Sequence, residues 1–143
     1  MSVHDYLIDH SKLNWLKLLA GWSGLLPKQF SVWLMNRFGD LYLLYPDGSI
    51  HRLDVGRGRL EKIAKDQDDF LAKLDDEANA TLWLLIPLVN QLVASKRTLK
   101  PGECYGYKIS PAMGGGYTLD NTITLPYAEH YATHARIHAG RPR

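Results

Sequence analysis

Apolar residues recur along the first part of the chain at spacings of three and four. Leu7, Leu13, Leu16, Leu19 and Leu26 set the stripe, and Trp15, Leu18 and Trp22 widen it, which predicts helix over residues 4–35. Gly21, Gly24 and Pro27 divide that segment into two helices. Pro27 suits the first turn of the second, and Gly39 after Phe38 is its stop. The pattern then changes to strands at about 40–45 and 49–54, joined through Asp47-Gly48, a pair that tolerates the positive φ of a tight hairpin turn. Residues 55–65 read as a third strand or an extended connection, with a turn at Gly56 and Gly58.

Helical spacing returns at 66–74, with Phe70, Leu71 and Leu74 facing inward. It continues at about 77–96, where Leu82, Leu85, Ile86, Val89, Leu92 and Val93 are interrupted by Pro87. A turn at Lys100-Pro101-Gly102, a strand over 105–109, a loop over 110–117 and a strand over 119–126 follow. Residues 127–138 fit either element. Tyr127, Tyr131 and Ile137 suit a strand face, while Ala128, Ala132 and Ala135 favour helix, the reading preferred here. The order of elements predicts an α+β fold, an antiparallel sheet with helices packed mainly on one face, as one domain over residues 1–143.

Composition narrows the function. The 143 residues carry a formal net charge of only +2, which demands no polyanionic partner. Arg136, Arg141 and Arg143 read as a solvated basic tail. Cys104 is the single cysteine, so an intramolecular disulfide is impossible and a reducing, cytoplasmic location is expected. Asp5, Asp9 and His10 stand where a signal peptide would be basic. Lys17, Pro27 and Lys28 interrupt the one apolar stretch that approaches membrane-spanning length. Four tryptophans and eight tyrosines suit a core or an interface.

Chemistry is sparse. His130, His134 and His138 share one side of a helix, but three residues at that spacing extend over about 12 Å, too far for all to reach one ion. No glutamate follows His130 to complete a zinc-protease helix, and a polar, solvent-facing row is the expectation. Cys104 lies beside Glu103, which opposes thiolate formation, so it reads as a small buried hydrophobe. No Gly-x-Ser-x-Gly elbow, phosphate loop, zinc finger or basic recognition helix is present. The sequence therefore predicts no catalytic residue, no metal, no cofactor, no membrane partner and no direct nucleic-acid binding. Two features suit protein contact. Asp66, Asp68, Asp69, Asp75, Asp76 and Glu77 form either a solvated helix face or a negative patch for a basic partner, such as a nuclease's cleft. The loop Gly114-Gly115-Gly116-Tyr117 is either a chain reversal or a set of exposed amides with a mobile tyrosine. A second reading is a small-ligand sensor or carrier with Trp15, Trp22, Tyr42 and Tyr105 around its pocket; a third is a metal enzyme using His130 and His134.

Two segments carry a family likeness. The first runs Phe38-Gly39-Asp40-Leu41-Tyr42-Leu43 through the turn to Ile50-His51-Arg52-Leu53-Asp54. The second runs Leu99-Lys100-Pro101-Gly102-Glu103-Cys104-Tyr105-Gly106-Tyr107, then Pro111, Gly114-Gly115-Gly116-Tyr117, Asn121 and His138. With Phe70, Leu74 and Trp83 between them, this order resembles the C-terminal domain of bacterial type VI secretion immunity proteins that protect against DNase effectors, over about Trp15 to His138. The resemblance implies an antitoxin-like protein that binds and silences a cognate toxin, with no catalytic residues and no cofactor.

Overall fold

The computed structural model describes residues 3–139; Arg141 and Arg143 of the expected basic tail lie outside them. A 3₁₀ turn at Val3–Tyr6 precedes a short helix, α1 (Trp15–Leu18), capped by Asn14, which accepts from the Lys17 amide at 3.2 Å. Four strands follow: β1 (Ser31–Met35), β2 (Leu41–Leu44), β3 (Ile50–Asp54) and β4 (Arg59–Ala64), an antiparallel sheet in sequence order. Then come α2 (Gln67–Leu74), α3 (Glu77–Leu84), α4 (Ile86–Ala94), a two-stranded antiparallel sheet of β5 (Glu103–Tyr107) and β6 (Thr122–Pro126), and α5 (Tyr127–Ala139). The α+β class holds, and residues 127–138 are helical.

The two helices expected over 4–35 are not formed. Only α1 and two 3₁₀ turns are helical there, Pro27 lies in irregular chain, and 31–35 is a strand. Val32, Trp33 and Leu34 fit a pleated surface, and pairing with β2 overrides the local periodicity. Gly39 does take a positive φ of 78°, but in the β1–β2 connection rather than at a helix end. The hairpin turn is as expected, with Gly48 at φ 88°.

Helices cover both faces of the larger sheet because β2 is apolar on both sides. Leu41, Leu43 and Leu53 pack with Trp22, Tyr131 and Ala135 beneath α5. Tyr42 and Ile50, on the other face, pack with Phe70 and Trp83 from α2 and α3. A third cluster joins Phe38, Tyr105 and Tyr107 to Leu88, Val89 and Leu92 of α4. Leu71 was expected inside but is 49% exposed, and Leu82 is 52% exposed. Asp66 caps α2 through the Asp69 amide (2.7 Å), and Asp76 caps α3 through Ala78 (2.9 Å) and Asn79 (3.3 Å).

Helix α4 ends in a Schellman arrangement. The Arg97 amide donates to the Leu92 carbonyl (2.9 Å) and the Lys96 amide to Val93 (3.0 Å), which places Lys96 at φ 61°. A left-handed conformation costs an L-residue about 1–2 kcal/mol that glycine avoids. Against glycine's larger loss of chain entropy, Lys96→Gly should still stabilise by about 0.5 kcal/mol. A thermal melt should show a rise of a degree or two; a fall would show that Lys96 carries no strain there.

Candidate functional site

The site forms where the two most distinctive segments of the sequence meet. Asp40, just before β2, is 1% exposed. Its carboxylate accepts from the Val55 amide (3.0 Å), Asn36 Nδ2 (3.2 Å) and Arg52 (3.1 Å). Arg52 lies opposite Tyr42 in the β2–β3 register, so it points to the face covered by α2 and α3 and is buried with its partners. Asp54, two residues along β3, lies 3.6 Å from Arg52 and 3.8 Å from Arg57. Asn36 Nδ2 and the Tyr42 hydroxyl both donate to the Trp83 carbonyl, tying the end of α3 to this cluster. Burial and then the Asp54 charge push Asp40 up to about 6, while Arg52 and the amide donors pull it back. Burial works against the Arg52 charge, but Asp40, Tyr42 and Asp54 outweigh it and keep the guanidinium protonated. At neutral pH this is an ionised, hydrogen-bonded buried pair.

The glycine-rich loop docks onto the β3–β4 turn. Ser110 Oγ (3.1 Å) and the Ala112 amide (3.2 Å) donate to the Gly56 carbonyl. Asn121 closes the loop by accepting from the Ile109 amide and donating to the Ile109 and Gly116 carbonyls, each at 2.9 Å. A Cβ on Gly115 would lie 1.7 Å from the Ile109 oxygen, so only glycine fits. The contacts of Tyr117 suit the chain-reversal reading of this loop rather than the mobile one. The side chain is half-buried, packs edge-on against Tyr107 (5.6 Å), and carries the Arg57 guanidinium 5.1 Å from its ring centre.

Between this loop and the helices lies a cleft of about 310 Å³. Arg52, Arg57 and Tyr117 form one wall; Leu82, Leu85, Pro87 and Leu88 form most of the other, with Thr81 and Gln91 at its edges. Two larger clefts, about 650 and 670 Å³, flank α1, but neither is lined by a buried charged side chain.

The histidine row is a correction. His130, His134 and His138 do share one side of α5, but all three are buried rather than solvated. The helix is pressed onto the sheet connections. His130 Nε2 donates to the Phe38 carbonyl (2.9 Å), Tyr131 Oη to Gly39 (2.6 Å) and His138 Nε2 to Val55 (2.7 Å). A carbonyl only accepts, so Nε2 carries the proton in both histidines. Burial and its neighbour His134 bring His130 down to about 3; burial and His138 bring His134 down to about 4, with Asp54 opposing. These are neutral structural groups. No cluster of three or more potential metal ligands exists among the described residues. Burial pushes the Cys104 thiol well up, with Asp40 and Glu103 adding.

The remaining expected site residues lie apart from the loop. Asp66 and Asp76 are helix caps, and Asp69 accepts from the Lys65 amide (2.9 Å) and pairs with Lys73 (3.0 Å), while Asp68 and Asp75 are exposed. Helix α2 packs on β4 and α3, whereas Gly114, Gly115, Gly116 and Tyr117 are held from the β3–β4 turn and Asn121. Helix α3 packs on α2 and also reaches the cleft, through Thr81 and Leu82. Trp15, Trp22, Tyr42 and Tyr105 do not surround one pocket: Trp15 and Trp22 share one cluster, and Tyr42 and Tyr105 belong to two others. The Asp40–Arg52–Asp54 group was missed from sequence. Its one signal is that Arg52 and Asp54 sit in step with the apolar Ile50 along the strand.

Residues 64–138, more than half of the chain, match the family model described as T6SS immunity protein Tdi1, C-terminal. The match includes α2, α3, α4, the glycine-rich loop and most of α5, and leaves out the hairpin that supplied half of the resemblance. No curated protein matches the chain.

Proposed function

The chain belongs to the T6SS immunity protein Tdi1 C-terminal family, and from that premise we propose that it binds a cognate protein toxin and silences it by occlusion rather than by turnover. The family match is the observation that carries this reading. The state of the titratable groups supports it: His130 and His134 are buried and neutral, and Cys104 is a buried thiol held far from ionisation, so none is placed as a nucleophile or its base. No helix among the described residues is long and apolar enough to cross a membrane, and a single buried cysteine suits action in the cytoplasm, where an arriving toxin would be met. A nuclease is the expected toxin class, because its basic cleft would complement the acidic face of α2.

The proposed contact face runs from Asp66, Asp68, Asp69, Asp75 and Asp76 across α3 to Gly114, Gly115, Gly116 and Tyr117. Its acidic end steers encounter, and Tyr117 with Arg57 is the kind of aromatic and arginine pair that anchors interfaces. The test is a kinetic binding assay against the product of any toxin-like reading frame found beside this gene. Asp68→Lys with Asp75→Lys should slow association, most at low salt. Tyr117→Ala should speed dissociation by more than tenfold, about 2 kcal/mol for an anchor residue. Both variants binding like the parent across a salt series would move the interface elsewhere; no binding by the parent would end the immunity reading itself.

A further inference from the structure

The cleft beside Tyr117 has the chemistry of a ligand site. Arg52, 6% exposed, lines it and has an Nε with no hydrogen-bond partner in the protein. Arg57 also lines it, reaches Asp54 only at 3.8 Å, beyond hydrogen-bond length, and is 44% exposed, which leaves its donors available to a ligand. The opposite wall contains the start of α4. Leu82, Pro87 and Leu88 around that start give an apolar surface, with Leu82 more than half exposed. The volume is at the lower end of small-ligand pockets, which combine an apolar lining with a few placed polar groups.

We propose that this cleft binds a carboxylate carried on a compact apolar body, with Arg57 and Arg52 facing the carboxylate and Leu82, Pro87 and Leu88 taking the body. A planar carboxylate fits a guanidinium fork better than a more highly charged phosphate does here, because Asp40 and Asp54 already offset most of the arginine charge. The group can arrive on a free organic acid or at the carboxyl end of a partner's chain, and the proposal holds whether or not a toxin is the partner.

The experiment is an NMR titration of the full chain with two acids and their amides: 3-phenylpropanoate against 3-phenylpropanamide, and acetyl-Gly-Gly-Phe with a free against an amidated terminus. At least one acid should shift the signals of Arg57, Tyr117 and Leu82 saturably at millimolar concentration, with its amide at least about tenfold weaker. Arg57→Gln and Leu82→Asp, both at exposed positions, should each weaken it about tenfold or more, while Lys62→Gln changes nothing. The small acid binding as well as the peptide assigns the site to free acids; a peptide preference assigns it to a protein terminus. Amides binding as well as acids, Arg57→Gln binding like the parent, or no shift at these residues would overturn the proposal.

Discussion

Acidification to about pH 4 should strongly destabilise this protein. In an unfolded chain His130 and His134 take up protons near the ordinary pKa of about 6.5. In the folded state burial holds them neutral down to about 3 and about 4. A folded-state pKa below the unfolded one means stability that is complete above about pH 6.5 and is lost as pH falls toward the folded values. At about 1.4 kcal/mol per unit, the two histidines together withdraw on the order of 8 kcal/mol. Asp40 acts the other way. Its folded pKa of about 6 lies above the unfolded value, so it adds up to about 3 kcal/mol as pH falls through that range. The net loss, about 5 kcal/mol, rivals the whole stability of an ordinary domain. Thermal melts from about pH 7 down to about pH 4 should show a steep fall in Tm. His134→Phe, which keeps a ring against the edge of Tyr107 (5.8 Å), should flatten part of that fall. A level Tm would mean that the histidines charge inside the fold.

Asp40→Ala should be among the most damaging single changes available. It strips a buried guanidinium of its closest carboxylate, leaves the Val55 amide without its acceptor and leaves Asn36 Nδ2 with the Trp83 carbonyl alone. Breaking one side of a buried pair costs about 3–5 kcal/mol, and Asp54 at 3.6 Å replaces little of it. Asp40→Asn keeps an acceptor for Val55 and should cost less. The double variant Asp40→Ala with Arg52→Met should recover part of the loss, because the uncompensated charge goes too. Urea unfolding of the parent, Asp40→Ala, Arg52→Met and the double variant checks the cycle. Strict additivity of the single changes would show that the two side chains do not depend on each other.

The elements legible in the sequence were those set by local chemistry. Asp47-Gly48 fixed the hairpin, the carboxylates at 66 and 76 mark the starts of α2 and α3, and Pro87 marks the break at Leu85. The first 35 residues were misread because Leu13, Leu19 and Leu26 pack into the cluster beneath α5 and Leu7 into that of α4, while Leu16 is left 91% exposed, so their spacing marks no helix. The strand at 31–35 exists only through pairing with β2, which no local window contains. In the site, Tyr117 and the glycines beside it were visible as loop chemistry. The ion pairs of Asp40, Arg52 and Asp54 were not, since charged residues in a strand read as outward-facing. The row of histidines was visible as a period of four, but histidine belongs to neither the polar nor the apolar pattern, so its burial stayed hidden.

The bonds by which α5 meets the sheet also determine when the protein can fold. The carbonyls of Phe38, Gly39 and Val55 find their donors 92, 92 and 83 residues later, and the Trp22 indole its acceptor 109 residues later. A nascent chain released from the ribosome as far as β6 has a hairpin with unfilled acceptors and an uncovered apolar face. Closure must wait for synthesis to pass His138, and contacts over such separations form slowly. Chains in which α5 has not yet been made therefore leave that face open to proteases and chaperones.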